Sequence, residues 1–235
     1  MKKIALVHDY LREYGGAERV LEALHDLYPE APVYVAFTDP EAMGIHWQNF
    51  AAWDIRTTWI AKLPFYKKLY SPMRVFAARA FAELDLSEYD VVISSSNAYM
   101  AKAIKRGPRA VHLCYCHTPP RALYGYTTLT DWKKNPVLRV VGGLINHYMR
   151  VIDVKVAQEV DYFIANSQET ADRITKFYRR ESRIIFPPVS IISKTGKQPR
   201  SADDAKAGYY LYVNRLALAK HPELAVQACT QLKLP

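Results

Sequence analysis

KIALVHDYLREYGGAERVLEALHDLY, residues 3–28, decides how the chain folds. After Lys3, Ile4-Ala5-Leu6-Val7 is a short apolar run of the kind that lies in the middle of a parallel sheet covered on both faces. Polar and aromatic residues from His8 to Tyr14 follow. Gly15-Gly16 then opens a helix expected over Ala17–Leu27, whose Val20, Leu21, Leu24 and Leu27 share one face. Such a turn leaves backbone N–H groups and the positive end of a helix dipole pointing outward, a seat for a phosphate or another anion. A tight turn that needs positive φ would use the same two glycines. Gly-x-Gly-x-x-Gly is absent, which weakens a dinucleotide-binding reading.

Downstream, strand-like and helix-like patterns alternate, the signature of a parallel sheet wound with helices. Strands are expected at Pro32–Phe37, Ile55–Thr58, Asp90–Ile93, Ala110–Tyr115, Tyr162–Ala165 and Ser182–Phe186. Helices are expected from an N-cap at Ser71 with Pro72 at the first helical position, over Ala98–Lys105, over Val137–Glu159, and from Asn166-Ser167 to Phe177. The fold class is therefore α/β, a Rossmann-like doubly wound parallel sheet over residues 1–192. Residues 193–208 are polar and rich in turn formers, and read as a linker. Tyr209–Val213 reads as one strand and Pro222 to about Leu232 as one helix. Two elements cannot bury a core, so 209–235 is expected to open a second α/β domain, its remainder outside this chain.

Length and composition bound the function. Half of the 235 residues are apolar, enough for a full core. Three cysteines and no secretory leader pattern argue against a disulfide framework and favour the cytosol. The net charge of +9 points to a polyanionic neighbour: nucleic acid, an anionic membrane face or a phosphorylated substrate.

Ligands of open α/β sheets bind beyond the carboxyl ends of the strands. In that position stand Gly15 and Gly16, the hydroxyl cluster Ser94-Ser95-Ser96 with Asn97, His117 in a proline-bounded loop, and Asn166-Ser167. The serines, Asn166 and Ser167 would serve equally as helix caps. His117 does not lie on an apolar helix face, which favours a functional role over core packing. Cys114 and Cys116 alternate onto one side of a buried strand, where packing is the better reading than metal.

Four stretches taken together resemble family 4 glycosyltransferases: Ile4–Tyr10 with Gly15–Leu21, Tyr115-Cys116-His117-Thr118-Pro119-Pro120-Arg121, Ile164-Ala165-Asn166-Ser167, and Leu211–Leu216 with Lys220. These are retaining enzymes of the two-domain GT-B architecture. The resemblance implies that Gly15 and Gly16 lie against donor phosphates and acceptor, that His117 contacts the transferred sugar, and that Arg215 and Lys220 clamp the nucleotide diphosphate. Ser95, Asn97, Asn166 and Ser167 are the candidates on the acceptor or sugar side. It further implies hexose transfer, mannose among the options, with no cofactor beyond the nucleotide-sugar donor and no metal. Asn214 stands where the family usually has glycine, and the paired glutamates of the family's second domain are not in this chain. The chain alone is accordingly expected to be nearly inactive.

Between Arg56 and Arg109 ten Lys and Arg face four Asp and Glu. Trp59, Lys62, Lys67, Lys68 and Arg74, interleaved with Phe65, Tyr66, Tyr70 and Phe76, suit an anionic lipid surface, as in family members that use lipid-linked acceptors. A solvated face over an ordinary core is the bland counterpart. No nucleic-acid module is present. The expectation is thus a nucleotide-sugar transferase acting on a lipid-linked or polysaccharide acceptor, cytoplasmic and peripheral at the inner membrane face. Its rivals are a non-catalytic lipid-binding α/β module and a sugar-nucleotide epimerase of the same architecture.

Overall fold

The structure, a computed structural model, describes residues 2–126, 136–189, 210–213 and 220–234. Strand β1 (Ile4–His8) leads into helix α1 (Gly16–Leu27), followed by β2 (Val33–Val35), a short α2 (Pro40–Met43) and β3 (Ile55–Thr57). Helix α3 (Tyr66–Ala82), β4 (Val91–Ser96) and β5 (Val111–Cys116) come next. Then follow α4 (Pro136–Gln158), β6 (Tyr162–Ala165), α5 (Gln168–Tyr178), β7 (Ser182–Ile184) and α6 (Pro222–Gln231).

The seven strands form one parallel sheet in the order β3-β2-β1-β4-β5-β6-β7. This is the Rossmann-like arrangement expected from the alternation. The order reverses between β1 and β4, which run side by side from Ile4 opposite Val91 to His8 opposite Ser95. A reversal of this kind opens a crevice at the carboxyl ends of the two strands, because their connections leave in opposite directions.

Alternation along β1 feeds both faces. Ala5 and Val7 join Val92, the α3 residues Ala77, Ala80 and Phe81, and Met149 of α4. Leu6 joins Val33, Val35, Ile93, Phe50 and Leu21 of α1 on the other face. Burying each large apolar side chain contributes roughly 1.5–3 kcal/mol. Cys114 and Cys116 are free, and pack with Phe163, Ala165, Ala157 and Ile174. Beside them the ammonium of Lys102 meets Asp153 of α4 at 2.5 Å, and Asp153 also accepts from Tyr124 and Tyr178 at 2.7 and 2.8 Å. A buried ion pair holds only when its remaining lone pairs are satisfied in this way.

Three elements differ from expectation. Helix α3 begins at Tyr66 and passes through Pro72, with Leu69 out of helical geometry (φ −99°, ψ 16°). Pro72 has no N–H for the carbonyl four residues back, so α3 is two helical segments joined at a kink, the second beginning close to the expected Ser71-Pro72 start and the first adding a turn before it. The helix expected over Ala98–Lys105 is absent: N–H groups of Asn97, Tyr99 and Ala101 turn instead to the carboxylate of Asp9, at 2.9–3.0 Å. Met100 takes a left-handed φ of 58°, which no helix tolerates. Finally, of the expected strand Tyr209–Val213, residues 210–213 pair with no strand among the described residues, and Tyr209 and the expected linker 193–208 lie outside them.

Candidate functional site

The crevice between β1 and β4 gathers most of the residues singled out from the sequence. Gly15 is the N-cap of α1, and its N–H donates to Oε2 of Glu18 at 2.7 Å, the backward half of a capping box. Gly15 has φ −145°, and Gly16 is absent from the positive-φ glycines, so neither is required by left-handed backbone. A Cβ built on Gly16 meets nothing within 4 Å.

From Glu18 the contacts run on through the protein. Its Oε1 stands 3.5 Å from Nε2 of His8, both side chains nearly enclosed. The other nitrogen of His8, Nδ1, lies 3.0 Å from Oγ of Ser95, and the same Oγ lies 2.8 Å from Nε2 of His117. Thus the N-terminus of α1 and the histidine beyond β5 are joined by a continuous series of polar contacts through the last residue of β1 and the fifth of β4. Burial pushes the His117 pKa down to about 4, with His8 acting in the same direction and Glu18 against it. Burial alone would raise Glu18; His8 and the Gly15 N–H outweigh it and hold the carboxyl below its usual range. A neutral imidazole and an ionised carboxylate therefore share one hydrogen-bonded series.

Two neighbouring elements hold His117 in place. Its N–H donates to Ser96 O at 3.0 Å, which continues the ladder one residue past β5. Its carbonyl accepts from the Thr170 hydroxyl at 3.1 Å, and the Arg173 guanidinium donates to Thr118 at 3.1 Å. Ser167 caps α5 by accepting from Thr170 N at 3.3 Å, and donates to Asn166 Oδ1 at 2.9 Å. Asn166 and Ser167 thus sit behind the His117 loop as a cap. Asn97 is anchored by its backbone to Asp9 at the rim. Burial pushes the Asp9 carboxyl above its ordinary pKa, opposed by His8 and by the N–H groups of Tyr99 and Ala101.

The remaining expected site residues are Arg215, Lys220 and the membrane-facing set. Arg215 lies outside the described residues, and Lys220 is exposed, its carbonyl accepting from the Tyr212 hydroxyl at 2.9 Å. Of the expected membrane-facing set, three residues are engaged by the protein itself. Trp59 packs on the α3 side of the core, with its ring against Phe76. Lys67 pairs with Asp39 and Glu41, and Arg74 is partly buried with a guanidinium N–H on Asn146 Oδ1. Counting charges between Arg56 and Arg109 could not register the acids supplied by Asp39 and Glu41. Lys62 and Lys68 do point outward, beside exposed Phe65 and Leu69.

His8, Asp9 and Glu18 were not singled out from the sequence. Two signals were present: His8-Asp9 ends the first apolar run where ligand chemistry is expected, and Gly15-x-x-Glu18 has capping-box spacing. A separate hollow bounded by Leu113, Tyr162, Ile164, Arg180 and Arg183 shares no residue with the crevice.

The family model described as Glycosyltransferase Family 4 matches residues 14–191. Among solved structures, the chain is similar to HepE of Anabaena in complex with UDP and glucose, at 16% identity and a TM-score of 0.46, over 80% of this chain and 45% of that one. The complex of HepE with UDP-glucose gives 16%, 0.43, 80% and 44%. A UDP-N-acetylglucosamine 2-epimerase gives 14%, 0.40, 79% and 48%. The chain thus spans less than half the length of each of these structures. No curated protein matches it.

Proposed function

The chain belongs to glycosyltransferase family 4, and from that premise we propose that it transfers a sugar from a nucleotide sugar to a lipid-linked or polysaccharide acceptor with retention of configuration. One observation carries the reading: Gly15-Gly16 and His117 are joined through Glu18, His8 and Ser95 around the β1–β4 crevice. The open space at Gly16 and the N–H groups of the first turn of α1 suit an anionic oxygen. His117, neutral and held on three sides, faces the sugar. Breaking the bond between sugar and diphosphate places negative charge on the leaving phosphate. Arg215 and Lys220 join the α1 N-terminus in balancing it, Arg by a two-pronged grip and Lys as a point charge, so the reading assigns this task to protein groups rather than to a metal ion.

The acceptor reading rests on surface chemistry. Lys62 and Lys68 with exposed Phe65 and Leu69 make a small basic and apolar patch suited to anionic headgroups at the inner membrane face. Among the described residues no helix is long and apolar enough to cross a membrane, so contact there would be peripheral.

The test is product analysis. The protein, expressed from its full reading frame, is incubated with labelled nucleotide sugars and a membrane-lipid extract. Label entering the lipid or polysaccharide fraction with unchanged anomeric configuration supports the reading. Inverted product would overturn retention, epimerised nucleotide sugar without any acceptor product would favour epimerase chemistry, and vesicle binding with no turnover would leave a lipid-binding module.

A further inference from the structure

The series of contacts behind His117 constrains where every proton in it sits, because each member has few protons to give. Glu18 spends Oε2 on the Gly15 N–H, and its Oε1 faces Nε2 of His8 at 3.5 Å, a distance at which the carboxylate still favours an N–H toward it. In its singly protonated form, with that proton held at Nε2 by Glu18, His8 has a bare Nδ1. That nitrogen can only accept, so the Ser95 hydroxyl donates to it across 3.0 Å. Ser95 has then spent its single proton, and its oxygen accepts from Nε2–H of His117 across 2.8 Å. A neutral His117 has no second proton. Its Nδ1 is a bare acceptor, on a part-exposed ring, and meets no partner among the described residues.

We propose that Glu18 and His8 are positioning residues that act through Ser95 to fix the tautomer of His117, so that His117 presents a hydrogen-bond acceptor to the crevice. Its partner there is a hydroxyl group, as on a sugar, and not an anionic oxygen, which would need a donor. This rests on the reading above that a sugar lies against His117, and it adds which kind of group His117 selects. The anionic part of the ligand is left to the α1 N-terminus, where donors face outward.

The 235-residue chain labelled with ring-15N histidine answers the question without turnover. Two-bond proton–nitrogen correlations report which ring nitrogen is protonated, and the His117→Gln variant identifies the signals of His117. The expected wild-type spectrum shows neutral His117 protonated at Nε2. In Glu18→Gln the amide oxygen can keep the Gly15 N–H while its NH2 turns to His8, which reverses each donor in the series. The His117 proton should then move to Nδ1. Ser95→Ala, which cuts the series, should give a mixture of both tautomers. Wild-type His117 protonated at Nδ1, or doubly protonated at neutral pH, would overturn the proposal, as would an Nε2–H pattern unchanged in both variants. If Glu18→Gln fails to fold, the wild-type and Ser95→Ala spectra still decide. Loss of the transferase reading would leave the tautomer result standing, and a reversed tautomer in an active transferase would remove only this inference.

Discussion

Two serine–histidine pairs sit on consecutive residues of β4, and they do different things. Ser94 Oγ meets His112 Nε2 at 2.8 Å, and Ser95 Oγ meets His117 Nε2 at the same 2.8 Å. Alternation sends them to opposite faces of the sheet. Ser94 shares its side with Val92 and Cys114, and His112 is 1% exposed. Ser95 shares its side with His8, and His117 lies one residue past the end of β5, at the rim of the crevice. The bond is the same, and the setting decides. Inside the sheet it satisfies a polar group that burial would otherwise penalise; at a strand end it links a reachable ring to a charged partner two side chains away.

Truncating the two histidines separates the two pairs most strongly. His117→Ala should lower turnover of the protein expressed from its full reading frame by about 10²-fold or more, with little change in melting temperature. His112→Ala should instead cost roughly 2–4 kcal/mol of stability by leaving a void and an orphaned serine, with turnover per folded molecule unchanged. Steady-state kinetics beside denaturant unfolding would show whether the two effects separate. Equal turnover losses would end the distinction.

Acid should act on both pairs through stability. Burial lowers the pKa of His117 to about 4 and of His112 to about 3. Each is neutral in the fold and takes a proton more readily when unfolded, so the unfolded chain binds more protons as the pH falls below roughly 6.5. Stability should therefore be intact above that value and decline as pH drops, levelling near 4 for His117 and near 3 for His112, with losses on the order of 3 and 5 kcal/mol. His112→Asn should flatten this decline, as measured by unfolding midpoints across that window, while a decline of unchanged steepness would remove His112 as its source.

The serines should show the contrast on a smaller scale. Ser94→Ala strands His112 away from water and should cost about 1–3 kcal/mol. Ser95→Ala should cost a similar amount, since it strands Nδ1 of the enclosed His8, but should also lower kcat. Smallest of all is Gly16→Ala: its Cβ meets no protein atom, so the melting temperature should hold while KM for the nucleotide sugar rises. An unchanged KM would take the turn out of the donor site.

Much of this arrangement could be read from local pattern. The β1–α1 unit follows from Ile4–Val7 and the Gly15-Gly16 turn, and His117 stood out because prolines bound its loop. What escaped reading depends on residues far apart in the chain. Asp9 unwinds the segment after β4 from 88 to 92 positions away, so local helix propensity over Ala98–Lys105 was overruled by a carboxylate no window could include. Lys67 looked like a free surface cation until Asp39 and Glu41 folded against it. Glu18 lies off the apolar face formed by Val20, Leu21, Leu24 and Leu27, and the position of β1 brings it to His8. The proposed phosphate clamp, Arg215 with Lys220, rests on family resemblance alone, with Arg215 outside the described residues.

The proposed function puts a sugar nucleotide in the β1–β4 crevice, against His117. Titrating the ring-15N-histidine-labelled protein, expressed from its full reading frame, with a panel of nucleoside diphosphate sugars tests it directly. At least one of them should shift the His117 ring signals in a saturable way while those of His112 stay in place. A ligand that binds and is turned over without moving His117 would contradict it.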